Sequence, residues 1–453
     1  MKNFLPHSEI EALAAHALAE AARKGAWGAD ILYGEGASNG LTLKDGEIEE
    51  CTLGSYAGIG IRTIMSDGRQ GIAYGSRLDR ASVDSLVDWS IHNARASEPE
   101  RGVTLYEGPL VRCDEVEVED PKIRALTHED RMKYAKAMTD EAFAHDSRII
   151  SVRSASWHDG WGASFFATSK GLAGWEQGAS AACGTAVLAQ SGDNTEMGYC
   201  GTDAMRLDEI DVRKDARRAV EQTVAALGGK RLDTGTYTIM IEPETMASFV
   251  EIIGGLFCAS DIHKGRSMMK GRLGEMVASS CVTLADDGRI PWKMGSSSWD
   301  SEGVPTGRHV LIERGTARSY LYNLQYASRD GVPSTGNCAR GASSLPDVGT
   351  TNIILEAGTE SSEALRSRIK NGMYVNGVMG LHTLDPVSGN FSIGAKGMRI
   401  ENGEITTPVS GVTIASNLSE LMKNISAVAS DLKFFGAAAS PTVVVENVVI
   451  AGK

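Results

Sequence analysis

A two-domain α+β chain is what this sequence predicts: an N-terminal α/β layered domain over residues 1–229 that reads as a duplication, and a Gly-rich, β-barrel-like domain over residues 230–453. Three observations carry that expectation. Segments alternate as helix, sheet, helix, helix, sheet, helix up to the Gly228-Gly229-Lys230 junction. Beyond it, glycines and short β runs predominate, as in a sheet that curls on itself. A length of 453 residues also exceeds what one hydrophobic core normally serves.

Ser8 and Glu11 form an S-x-x-E pattern before an alanine-rich run that stops at Gly25, which predicts a capped helix of about four turns. From residue 30 to 75, alternating runs are punctuated by Asp45-Gly46 and Asp67-Gly68, dipeptides that favour tight hairpins, so this stretch is a twisted antiparallel sheet. Helices over 79–96 and 127–145 flank a Pro- and Glu-containing connection at 98–121. A second strand-rich stretch, 149–189, carries Trp157, Phe165, Phe166 and Trp175, and a helix over 210–227 closes the first domain. The second domain opens with a strand at 237–241 and a helix at 244–257, and holds further helices near 361–371 and 417–426. It ends in a strand at 442–450 whose apolar run marks it as buried.

The formal net charge of −13 argues against a protein that coats nucleic acid, because phosphate neutralisation needs clustered Lys and Arg. Seven scattered cysteines, with no CxxC pair, read as reduced thiols in a cytoplasmic protein. The N-terminal residues lack the apolar core of a signal peptide, and no window is long and apolar enough to span a membrane.

The usual catalytic patterns do not assemble. His128-Glu129 begins like a metalloprotease helix, but Met132 and Lys133 stand where a second histidine would follow, so the pair reads as a helix start. Cys258 and His263 are five residues apart, which on an ideal helix separates them by roughly 140°. No G-x-S-x-G elbow and no phosphate-binding glycine loop is present, and Gly336-Asn337 and Gly394–Gly397 read as tight turns.

More specific is a series of segments in the C-terminal half: Asp287-Gly288, Asp300-Ser301-Glu302-Gly303, Ile312-Glu313-Arg314-Gly315, Ser334-Thr335-Gly336-Asn337, Gly372-Met373-Tyr374, Ser388-Gly389-Asn390-Phe391 and Pro441-Thr442-Val443. Their order resembles that in the TldD/PmbA family, and the departures from it resemble the PmbA/TldE branch. In TldD-type subunits the helix after the domain junction resembles an H-E-x-x-x-H element, and a cysteine near the last strands completes a zinc site. Here residues 246–257 contain no histidine and residues 431–440 no cysteine.

The resemblance therefore implies a metal-less subunit, with zinc in a TldD-type partner and none in this chain. It implies a heterodimer with that partner, a homodimer when the chain is alone, and an extended peptide substrate held by strand addition. Glu251, Asn337 and Arg340 are the candidate groove residues. The alternatives are a regulatory protein-binding factor of the gyrase-modulator kind, or a free-standing peptidase of unrecognised chemistry.

Overall fold

In the computed structural model, which describes residues 4–116 and 119–452, the N-terminal domain is built twice from one motif of helix, three strands and helix. Glu117 and Val118, in the middle of the 98–121 connection, lie outside the described residues, as do Met1–Asn3 and Lys453. The first copy comprises α1 (His7–Arg23), β1 (Gly28–Lys44), β2 (Glu47–Ile64), β3 (Gln70–Gly75) and α2 (Arg80–Ala96). After a short α3 (Pro121–Arg124), the second comprises α4 (His128–His145), β4 (Ile149–Thr168), β5 (Ala173–Ser191), β6 (Asn194–Ala204) and α5 (Val212–Ala225). All six strands join one antiparallel sheet in the order β3-β2-β1-β4-β5-β6, so the leading strands of the two copies pair at its centre. The duplication expected from element order is present.

Local chemistry explains the boundaries. Asp45 and Gly46 both adopt positive φ, the conformation a two-residue hairpin needs between twisted strands. Asp79 caps α2 at the Ser82 amide, Asp211 caps α5 at Lys214, and Thr127 exchanges reciprocal bonds with Asp130 at the start of α4. The Ser8–Glu11 pattern does not cap α1. That helix starts two residues earlier, with Pro6 in the cap position and its carbonyl taking the Glu9 and Ile10 amides, while His7 stacks on Trp175.

One face of the sheet is covered by helices. Ile31 and Tyr33 pack with Ile10, Ala14 and Ala17 of α1 and with Val83 and Val87 of α2. Leu41, Leu43 and the fully buried Trp157 pack with α4 and α5. On the opposite face β1 presents Leu32, Gly34, Gly36, Ser38 and Gly40, facing Phe166, Ser164, Gly162, Gly160 and His158 across the β1–β4 register. This small-residue face leaves a trough.

The C-terminal domain opens with β7 (Gly235–Ile241), α6 (Pro243–Gly255) and α7 (Ala259–Lys264). It continues through β8 (Leu284–Asp287), β9 (Arg308–Glu313), β10 (Thr316–Ala317), α8 (Leu324–Asp330), β11 (Cys338–Ala339), β12 (Asp347–Val348) and β13 (Ile353–Leu355). Then follow α9 (Ser362–Arg366), β14 (Asn371–Met379), β15 (Asn390–Glu401), β16 (Glu404–Asn417), α10 (Leu418–Lys423), β17 (Ile425–Val428), β18 (Lys433–Phe435), β19 (Ala438–Ser440) and β20 (Val443–Ala451). The helix expected near 361–371 stops at Arg366, because the chain must reach β14 and its parallel pairing with β7. Strands β7, β14, β15, β16 and β20 close into a five-stranded barrel through the β16–β20 pairing. A second sheet runs β10-β9-β8-β13-β19-β18. Between them lies α6: Phe249 meets Phe391 of β15 at 5.9 Å, and Gly254 abuts Ile353 of β13.

Among the described residues, no helix is long and apolar enough to cross a membrane. The two domains meet where the loop at 340–343 crosses β2. A Cβ on Gly60 would stand 1.7 Å from the Ala342 carbonyl oxygen, so only glycine permits this approach. Gly60→Val is therefore expected to lower unfolding free energy by about 1–3 kcal/mol through overpacking, measured by urea denaturation. Wild-type stability in that variant would contradict the contact.

Candidate functional site

A cleft of 510 Å³ separates the open face of the N-terminal sheet from the loops of the C-terminal domain. Gly34, Gly58, Ser164 and Gly174 line its sheet side, Tyr56, Tyr74, Phe166 and Trp299 its walls, and residues 336–343 and 349–351 the opposite side. A second cavity of 330 Å³ shares Gly34, Tyr56, Ser164, Glu176 and Ser297 with it, and a third of 310 Å³ shares Met294 with the second. The three succeed one another along β1 and β4.

A buried charge network holds one end of the cleft. Asp30 and Arg62 are direct cross-strand partners on β1 and β2. Arg62 donates to Asp30 through Nε at 2.7 Å and through Nη2, and its Nη1 lies 3.4 Å from Glu302. Arg340 donates to the other Asp30 oxygen at 2.6 Å and to the Ser301 carbonyl at 3.2 Å. All four side chains are at most 2% exposed. Burial pushes the Asp30 carboxyl up, but Arg340 and Arg62 outweigh it, and the net shift is below the usual carboxylate range.

Two further carboxyls behave oppositely. Asp300 is pushed up to about 7 by burial and by Glu302, against three backbone N–H donors from Glu302, Val304 and Cys338. Asp286 is pushed up to about 6 by burial, against bonds from Asn337 and Thr351. Asn337 donates its amide to Asp286 at 2.8 Å and to the Gly349 carbonyl at 3.0 Å, while its Oδ1 is buried without a partner.

Of the three candidate residues, Asn337 and Arg340 come together on the cleft wall. Glu251 lies exposed on α6 and does not line the cleft. Asp30 and Arg62 carry no sequence signal of a site, and Asp300 and Glu302 enter the sequence analysis only as members of a family segment. Arg62 is a lone arginine in the apolar run Gly58–Ile64, and its partner on the neighbouring strand is found only from register. His263 pairs with Asp330 at 2.8 Å, whereas Cys258 is buried, so those two do not form a site.

The metal donors that a metallopeptidase needs are not matched by the residues present. In the fold α6 packs against β18 and β19, which brings the two segments of the family's ligands side by side. At that junction stand Met246, Phe249, Val250 and Ile253 from the helix and Ala438 and Ala439 from the strand, all buried. Elsewhere among the described residues, no group of three or more His, Cys, Asp or Glu side chains could hold an ion.

A duplicated α+β layer and a five-stranded barrel stand on either side of a cleft floored by small residues. The chain belongs to the PmbA/TldD family: it matches the PmbA/TldA metallopeptidase domain 1 at residues 29–94, the central domain at 121–227 and the C-terminal domain at 234–452. It is 29% identical to a metalloprotease of Methanothermobacter thermautotrophicus over 89% of this chain and 88% of that one. With the metalloprotease PmbA of Escherichia coli O157:H7 it shares 22% identity over 94% and 92% of the two chains. The crystal structure of TldE from Thermococcus kodakarensis superimposes with a TM-score of 0.88 at 24% identity, covering 98% of this chain and 100% of that one.

Two outcomes follow from the charge network. Arg340→Met leaves two buried carboxylates, Asp30 and Glu302, sharing the single guanidinium of Arg62, and this uncompensated buried charge is expected to cost on the order of 3–5 kcal/mol of unfolding free energy. Urea denaturation with an unchanged midpoint would count against the network. For Asp286 and Asp300 the folded pKa lies above the unfolded one, so their stabilising contribution is fully present below about pH 4 and is lost as pH rises through about 6 and 7. Infrared spectra at pH 5 are expected to carry the carbonyl band of a buried, protonated acid, absent at pH 8 and diminished in Asp286→Asn. Identical bands in wild type and variant would refute the assignment.

Proposed function

We propose that this chain is the metal-less subunit of a TldD/TldE-type peptidase that processes unfolded or precursor peptides, and that it works as a heterodimer with a zinc-bearing, TldD-type homologue. One observation carries the reading: the helix and the strand segment that would supply donors are in contact in the fold, and both contribute apolar side chains to the core. A chain that keeps all three domains of a metallopeptidase while carrying no histidine in 246–257 and no cysteine in 431–440 supplies interface and groove walls, which act only in an assembly.

The cleft suits an extended peptide. Glycine and serine on β1 and β4 leave room for a main chain, and recognition through backbone hydrogen bonds demands little of the substrate's sequence. The buried, unpartnered Oδ1 of Asn337 is an acceptor for a peptide N–H. Arg340 acts through Asp30 to hold the wall, and Glu251 faces outward toward the partner or its substrate. Without a partner, the chain forms a two-fold homodimer in the cytoplasm.

Purified alone, the protein is expected to hydrolyse no unfolded peptide in a chelator-sensitive manner. Mixed with a TldD-type chain carrying H-E-x-x-x-H, it is expected to form a heterodimer by light scattering and to confer peptidase activity that neither chain has separately. Equal activity of the zinc-bearing chain without this protein would overturn the proposal.

A further inference from the structure

A second polar cavity, of 470 Å³, shares no lining residue with the cleft. It opens where α5 of the N-terminal layer faces the start of α6, β14 and the segment at 430–442. Its chemistry is that of opposite charges left incompletely matched.

Glu242, the residue before Pro243, precedes α6 without capping it. The residue is 6% exposed, and its carboxylate accepts one long bond, from Thr245 Oγ1 at 3.4 Å. A carboxylate this deep ordinarily has a close cation or several donors. Among the described residues Arg218, from α5, forms an ion pair only with Glu244, at 3.6 Å. Lys433, from β18, has no carboxylate within 4 Å among the described residues, and the Tyr374 hydroxyl of β14 has no hydrogen bond there. Asp431 on the same wall, by contrast, is satisfied by the amide and hydroxyl of Thr442.

An anion alone would meet Glu242, and a cation alone would meet Arg218 and Lys433. A molecule carrying both charges complements both ends, and the volume falls within the roughly 300–1,000 Å³ of small-molecule sites. We propose that this cavity binds a zwitterion, a free amino acid or short peptide with unblocked ends, placing its α-ammonium on Glu242 and its α-carboxylate on Arg218 and Lys433. The site is independent of the peptidase-partner reading, since it lies wholly within this chain.

Proton linkage supports the assignment. Burial and Glu244 push the Glu242 carboxyl up to about 7, against Arg218, Thr245 and Lys433. Glu363, Arg366, Tyr374 and Asp431 are the other titratable or charged groups that line the cavity. An incoming ammonium favours the ionised carboxylate, so binding releases a proton and tightens as pH rises from about 6 to about 7.5.

The test is isothermal titration of the full chain, without a partner, using L-alanyl-L-alanine and its N-acetylated, C-amidated counterpart. One saturable site is expected for the free dipeptide, weakened about tenfold or more by blocking both ends, by Glu242→Gln, or by Lys433→Met, which is exposed and leaves the core intact. Absence of saturable binding at millimolar dipeptide, equal affinity for the blocked peptide, or indifference to both substitutions in folded protein would overturn the proposal. Peptidase assays do not enter, so failure here leaves the subunit reading standing.

Discussion

The placement of the two domains depends on a buried set of four charges, Asp30, Arg62, Glu302 and Arg340. Two come from adjacent strands of the N-terminal sheet and two from loops of the C-terminal domain, and together they are neutral. Neither half is complete alone: separating the domains would leave Arg62 short of Glu302 and Arg340 short of Asp30. Such networks contribute little net stability compared with apolar packing, but they penalise misplacement strongly, because a shifted carboxylate is left unmatched out of water. The cleft keeps its width because the network and the Gly60–Ala342 approach allow one registration of loop on sheet.

The same sheet uses charge differently in its second copy. There Asp159 faces the helices, accepting two bonds from Arg131 of α4 together with those from Trp157 and Asn39. In the first copy the buried aspartate ties the sheet to the other domain; in the second it ties the sheet to its own helix. The duplicated layer is thereby polarised, fixed against the barrel near Asp30 and open along Gly34, Ser38 and Gly40. The trough follows from strand alternation, since large residues at odd positions of β1 serve the helical core and small ones at even positions leave space.

Helix α6 combines two environments along its length. Its central residues are buried between barrel and second sheet, and Phe249 and Ile253 make it a core element that holds these two layers together. Its first turn lies elsewhere, against α5 and β14, where Glu242, Glu244 and Arg218 meet. One helix therefore serves packing at its middle and polar recognition at its start.

By itself the sequence determined the elements and their kinds. Asp45-Gly46 specified a hairpin, His128-Glu129 a helix start, and the order of segments a duplicated layer, because turn and helix-start chemistry is local to a few residues. The ordered motifs of the second half carried the family, and residues 246–257 contain no histidine. Tertiary structure alone decided the sites. Asp30 and Arg340 are 310 positions apart, and Arg218 reaches the start of α6 only because the two domains dock. Cross-strand register and domain docking bring such groups together, and neither leaves a trace in local spacing, so Arg62 read as one charge in an apolar strand until its partners stood beside it.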